Sequence, residues 1–169
     1  MRARTIVSVV VAAGILLGTS GCNLLAPQST TRHYDASDGV SGNLGDLAIR
    51  NAILLSKDGS TASLVVTVVN SGESAHSLNV QYKAGTEKVT KTVNVKANSS
   101  VAIGTPDAPT VSVNGADTTP GSLFPVFLQY GNETGIELLV PVLDGTLAPY
   151  STLLPTAAPY STLLPTAAP

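Results

Sequence analysis

Sulfur and imidazole are scarce in this 169-residue chain, which holds one cysteine, Cys22, one methionine, Met1, and two histidines, His33 and His76. A lone cysteine cannot form a disulfide within the chain. A Cu(I) site prefers several soft sulfur ligands, with imidazole serving either copper state. The most that a copper site could draw on here is the pair His33 and His76, each in polar loop sequence where a solvated histidine is the plainer reading. Asp35, Asp38 and Asp46 lie close together in sequence, and Asp107 and Asp117 follow in a later loop, so oxygen ligation of Ca²⁺ is conceivable. Their spacing lacks the alternating acids and the twelfth-position Glu of an EF-hand loop, and aspartates that cap turns account for each of them singly. No G-x-S-x-G elbow and no H-E-x-x-H occurs. The expectation is a protein that is not an enzyme, with no catalytic residues, no metal site and no cofactor.

Cys22 needs its own explanation. Arg2 and Arg4 precede an uncharged run, Ile6 to Gly18. The run is shorter than the ~20 residues that a membrane-spanning helix requires, and it reads as a secretory signal. It leads into Thr19-Ser20-Gly21-Cys22, which resembles the lipobox of a bacterial lipoprotein signal, with Thr19 standing where such boxes usually carry Leu. The resemblance makes residues 1–21 the signal peptide and Cys22 the lipid-attachment residue. Cys22 would carry a thioether-linked diacylglycerol, with palmitate-type chains, at the new amino terminus. Two or three acyl chains, at ~0.8 kcal/mol per buried CH₂, make a durable anchor where one does not. Removing the signal also removes Met1, and with it any thioether ligand.

Charge and composition narrow the partners. The full chain has a formal net charge of −2; losing Arg2 and Arg4 takes its nine basic residues to seven against eleven acidic ones. Attraction to anionic lipid therefore cannot be what holds the mature protein at a membrane. An acidic chain with 4% aromatic residues and no Trp offers neither a phosphate-binding surface nor a stacking platform, so no nucleic acid is expected. The expected partners are membrane lipid through acylated Cys22, and an envelope protein, lipid or glycan. The expected location is the extracytoplasmic face of the cell membrane.

The elements that would present such a surface are strands. Residues 22–45 are polar and dotted with glycine, and read as a flexible, disordered tether. From Leu47 the apolar residues alternate: Leu47, Ile49, Ile53 and Leu55, with Asn51 breaking the parity, then Ala62, Leu64, Val66 and Val68. Leu78, Val80 and Tyr82 follow, then Val89, Val93 and Val95, where Lys91 is a misfit suited to an edge strand. Val101 with Ile103, Val111 with Val113, Val126-Leu128-Tyr130 and Ile136-Leu138-Val140-Val142 complete the set. Turn signals such as Asp58-Gly59, Ala84-Gly85, Asn114-Gly115 and Asp144-Gly145 separate them. Residues 46–144 are thus expected to form an all-β domain. The fold read from this pattern is an Ig-like or cupredoxin-like antiparallel β-sandwich of seven or eight strands, with a compact barrel as the alternative.

Residues 145–169 form a Pro-rich tail in which Ala148–Ala157, APYSTLLPTA, is repeated without change as Ala158–Ala167. Prolines at 149, 155, 159, 165 and 169 point to polyproline-like or disordered structure.

Several short segments, taken in order, are similar to the LpqE-type lipoproteins of mycobacteria and corynebacteria. They are Ser20-Gly21-Cys22, Gln28-Ser29-Thr30, Asp38-Gly39, Ala48-Ile49-Arg50-Asn51, Val68-Val69-Asn70, Gly104-Thr105-Pro106-Asp107, Val140-Pro141-Val142 and Gly145-Thr146-Leu147-Ala148-Pro149. The resemblance implies an actinobacterial envelope lipoprotein. It also implies a fold distantly similar to the PCu(A)C copper chaperones, whose Met/His ligands have no counterparts in this sequence. A metal carrier on that fold, taking copper or calcium, is the alternative to a lipid-anchored binding or assembly module.

Overall fold

The structure is a computed structural model that describes residues 2–25, 34–115 and 117–155, with the side chains of residues 16–25 left out. The chain divides into two compact units, Met1–Tyr34 and Asp35–Pro169. The first contains helix α1 (Arg2–Leu25). Its apolar side chains from Ile6 to Ile15 are exposed. No described helix is long and apolar enough to cross a membrane. Cys22 lies on α1, but its side chain, like the whole of His33, is outside the described residues.

Among its described residues the second unit holds nine strands: β1 (Val40–Leu44), β2 (Leu47–Leu55), β3 (Thr61–Asn70), β4 (His76–Ala84), β5 (Glu87–Val95), β6 (Ser99–Ile103), β7 (Val111–Asn114), β8 (Leu123–Gln129) and β9 (Ile136–Leu143). A single turn of helix, α2 (Ala148–Ser151), follows them. Hydrogen bonding runs in the order β5-β4-β8-β9-β2-β3-β6, with β1 on β2 and β7 on β3. The path folds back on itself. Ile49, Leu64 and Val68 from one side and Leu78, Val80 and Leu128 from the other line one gap of about 10 Å³. That is room for about one water, and its walls are wholly apolar, so the two layers pack there as a core.

Period-two burial makes this packing. In β3, Ala62, Leu64, Val66 and Val68 are buried while Thr67 and Val69 face out. In β4, Leu78, Val80 and Tyr82 are buried and Ser77 and Lys83 exposed. Lys91 lies exposed on β5, at one end of the strand path, where a charge discourages pairing with another chain. Asn51 breaks the parity of β2 because the strand bulges there. The register with β3 shifts between Arg50 and Ile53, and Asn51 has φ 51, a left-handed conformation that Asn tolerates. After the bulge Ala52, Ile53, Leu54 and Leu55 are all buried.

The all-β sandwich is as expected from the pattern, with three differences. The sheet is mixed: β2 and β9 run parallel through Leu54↔Val142 and Leu55↔Leu143, whereas the other strand pairs are antiparallel. This pair forms because β9 outruns β8 at its carboxyl end and meets β2, joining the two layers. The ninth strand, β1, lies within residues 22–45, the stretch assigned to the tether. Its weak signal has a cause: Gly42 interrupts it, and an added Cβ there would stand 2.8 Å from Ile136 Cδ1, so Ile136 covers the glycine. The third difference is α2, which replaces polyproline-like structure at the start of the tail. Pro149 sits in its first turn, where a missing N–H costs nothing.

Candidate functional site

Two features of the β unit stand apart from its core. The first is a polar cluster where the β1–β2 turn, the β3–β4 loop and the end of β8 meet. Gly45 turns the chain with φ 50, and a side chain there would run into the Tyr130 hydroxyl. The next residue, Asp46, donates its backbone N–H to Tyr130 Oη at 2.9 Å. Its carboxylate Oδ2 lies 3.3 Å from His76 Nε2, and the His76 ring stacks against Tyr130 with centroids 4.2 Å apart at 37°. The Asp46 carbonyl accepts from the backbone N–H of Ser71 at 3.0 Å and from the Ser71 hydroxyl at 3.1 Å. Asn70 fixes the loop from beneath, its side-chain amide donating to Ser74 O at 2.8 Å and Lys96 O at 3.0 Å.

Chemically the cluster offers one imidazole and one carboxylate. The His76 side chain is 18% exposed and Asp46 56% exposed, so the pair sits at the surface. Two donors fall short of the four ligands that Zn²⁺ takes and the six to eight that Ca²⁺ takes, so water would have to supply most of the rest. Among the described residues no group of three His, Cys, Asp or Glu side chains is placed to hold a metal ion.

The aspartates considered as oxygen ligands have separate roles. Asp35 Oδ2 accepts from Ser41 N–H at 3.0 Å, and Asp38 Oδ2 accepts from the Tyr150 hydroxyl at 2.5 Å. Asp46 belongs to the cluster above. Asp107, in a turn, and Asp117, in a loop, are exposed at φ 64 and φ 45.

The second feature is the outer face of the β8–β9 ribbon. Paired residues in a sheet share a face. The pairs Leu123↔Pro141 and Pro125↔Leu139 therefore form a contiguous apolar strip, continued by Phe127 opposite Glu137. Leu123 is 61% exposed, Leu139 52% and Phe127 36%. A strip of this kind on a sheet face marks a contact surface more often than a scattering of single apolar residues does.

Neither feature stands out in the sequence. Tyr130 shares parity with Val126 and Leu128 and reads as another core residue, and nothing local brings it to Asp46 and His76. The odd-numbered series Leu123, Pro125 and Phe127 beside Phe124, Val126 and Leu128 is the signal for a ribbon apolar on both faces.

No family model matches this sequence, and no curated protein matches it. Among solved structures it is similar to the apo PCuAC domain of PmoF2, at 15% identity and a TM-score of 0.48, over 62% of this chain and 94% of that domain.

Proposed function

We propose that this chain is a lipid-anchored cell-envelope lipoprotein of the LpqE type, held at the outer face of the cytoplasmic membrane by acylated Cys22, and that its β unit is a binding or assembly module. The observation that carries the reading is the lone Cys22 directly after Ser20-Gly21, in a unit separate from the strands. The β8–β9 strip supports a binding role. It supplies apolar contact without the basic groups that a phosphate ligand needs, and with Phe127 as its single aromatic ring it is mostly aliphatic and proline, unlike a glycan platform. A protein partner suits it best.

Cys22→Ser is expected to move the protein from the detergent-extracted membrane fraction to the medium. Unchanged membrane retention would refute the anchor. For the module, a photo-crosslinker at position 139 in intact cells is expected to capture a protein, with capture lost when Leu123 and Phe127 become Ser. Capture of lipid alone, or capture indifferent to those changes, would refute it.

A metal-carrier reading is favoured by one observation, the His76–Asp46 pair. Titration with Cu(II) or Ca²⁺ separates the two: micromolar or tighter binding abolished by His76→Ala would replace the module with a carrier.

A further inference from the structure

Residues 148–155, the described part of the first copy of the duplicated decapeptide, are seated on the β unit. Pro149 opens α2, and Leu153 N–H donates to Tyr150 O at 3.0 Å, so the chain turns tightly after the tyrosine. The Tyr150 hydroxyl donates to Asp38 Oδ2 at 2.5 Å, joining residues 112 apart in the chain. Leu154 lies over the α-carbon of Gly145. Gly145 is buried with φ 74, and an added Cβ would stand 2.8 Å from Leu154 Cδ1. Tyr150 and Leu154 are therefore the two anchors, one polar and one apolar. The second copy carries the same pair, at the same spacing, as Tyr160 and Leu164.

We infer that Asp38 and Gly145 form a docking site for an uncharged Tyr-x-x-x-Leu-Pro peptide, and that either copy of the decapeptide can fill it within one chain. The inference follows from identity. All ten side chains are the same, so contacts with the site cannot distinguish the copies, and only chain connectivity can. The loop from Gly145 to Leu164 is about twice that from Gly145 to Leu154, and a doubled loop costs roughly threefold in occupancy. The first copy is the major occupant and the second a reserve. The site stays filled when the first copy is lost or engaged elsewhere. Occupation by a neighbour's tail is disfavoured, because a tethered copy has an effective concentration in the millimolar range for short linkers.

The test uses the full chain with ¹³C-labelled leucine methyl groups. In wild type, a nuclear Overhauser contact joins the Leu154 methyls to the Gly145 α-protons. In Tyr150→Ala/Leu154→Ala, a contact from the Leu164 methyls to Gly145 is expected to replace it, and to vanish when Tyr160 and Leu164 are also changed to Ala. Absence of the Leu164 contact in the first variant, with the Gly145 amide shift already at its value in the fourfold variant, would overturn the inference. So would a Leu164 contact seen only between labelled and unlabelled chains in a mixed sample, since it would assign the second copy to a neighbour.

Discussion

Two hairpins lie side by side in one layer of the sandwich and treat their outer faces in opposite ways. The β4–β5 hairpin buries Leu78, Val80, Tyr82, Val93 and Val95 and turns Ser77, Asn79, Gln81 and Lys83 outward, opposite Asn94, Thr92, Thr90 and Lys88. The β8–β9 hairpin buries Phe124, Val126, Leu128 and Val140 on its inner face, yet presents Leu123, Pro125, Phe127 and Leu139 on its outer one. The strands are neighbours, paired through Asn79↔Gln129 and Gln81↔Phe127, so both outer faces lie on the same side of the sheet. Folding explains the inner faces of both. It explains the outer face of only the first, where polar side chains meet water. The apolar outer face of β8–β9 gains nothing from the core and is the part of the molecule that folding leaves unaccounted for.

The largest expected effect tests the inner half of that contrast. Leu128 is 4% exposed and lines the gap between the layers, so Leu128→Ala enlarges a cavity that the surroundings cannot refill. A loss of about 2–5 kcal/mol is expected from urea unfolding. A loss no larger than that of an exposed substitution would mean that the two faces are not energetically distinct.

The next effect lies where the two hairpins join. His76 begins β4 and Tyr130 follows β8, and their stacked rings tie the hairpins at one end. Tyr130→Phe keeps the stacking surface and removes the acceptor of the Asp46 N–H. It is expected to cost about 1 kcal/mol, the net worth of a single hydrogen bond that water can partly replace. His76→Ala in the same background reports whether the stacking and the hydrogen bond act independently, through the coupling of a double-mutant cycle.

Much of this was legible in the sequence, and the losses have identifiable causes. The inner faces are written in period-two alternation, so eight strand groups and their turns follow from residue order. Asn51 marked its own bulge as the one residue out of parity in β2. Strand β1 was not legible because Gly42 and Asn43 interrupt it, and Gly42 packs against Ile136, far away in the chain. The parallel β2–β9 pair depends on two residues from strands over eighty positions apart, which no local pattern encodes. The His76–Asp46–Tyr130 cluster is hidden for the same reason: its members come from the β1–β2 turn, the start of β4 and the end of β8. The first decapeptide copy reads as extended because proline is taken as a helix breaker, whereas Pro149 sits where helices accept it.

A smaller effect separates the exits of the two hairpins by pH. Asp144 closes the exit of β9, accepting Thr146 N–H at 2.9 Å, and the hydrogen bonds from Thr146 hold its carboxyl below the ordinary value of 3.8. The exit of β5 has no carboxylate in that role; Lys96 O there accepts from the Ser99 hydroxyl at 2.8 Å. A group whose pKa is lowered by folding contributes stability that is present above its unfolded value and is lost as pH falls through the folded one. Amide exchange at residues 144–146, corrected for intrinsic rate, is expected to quicken as pH falls below about 4. Residues 96–99 should not change. Equal responses at both exits would show that acid loosens the sandwich as a whole.

The smallest expected effect on stability bears most on the outer faces. Leu139 is 52% exposed, so Leu139→Ser removes little buried area and should change the urea midpoint by no more than about 0.5 kcal/mol in free energy. Asn79→Leu on the neighbouring hairpin should be equally mild, because its side chain also lies on the outer face. The two differ in what they do to association. Leu139→Ser shortens the apolar strip and is expected to lower partner capture from position 123. Asn79→Leu lies across the sheet from Gln129 and lengthens the strip, and is expected to raise self-association measured by sedimentation. If Leu139→Ser instead destabilised the fold by several kcal/mol, the strip would be part of the core in solution. The contrast between the hairpins would then reduce to a difference in how deeply each is buried.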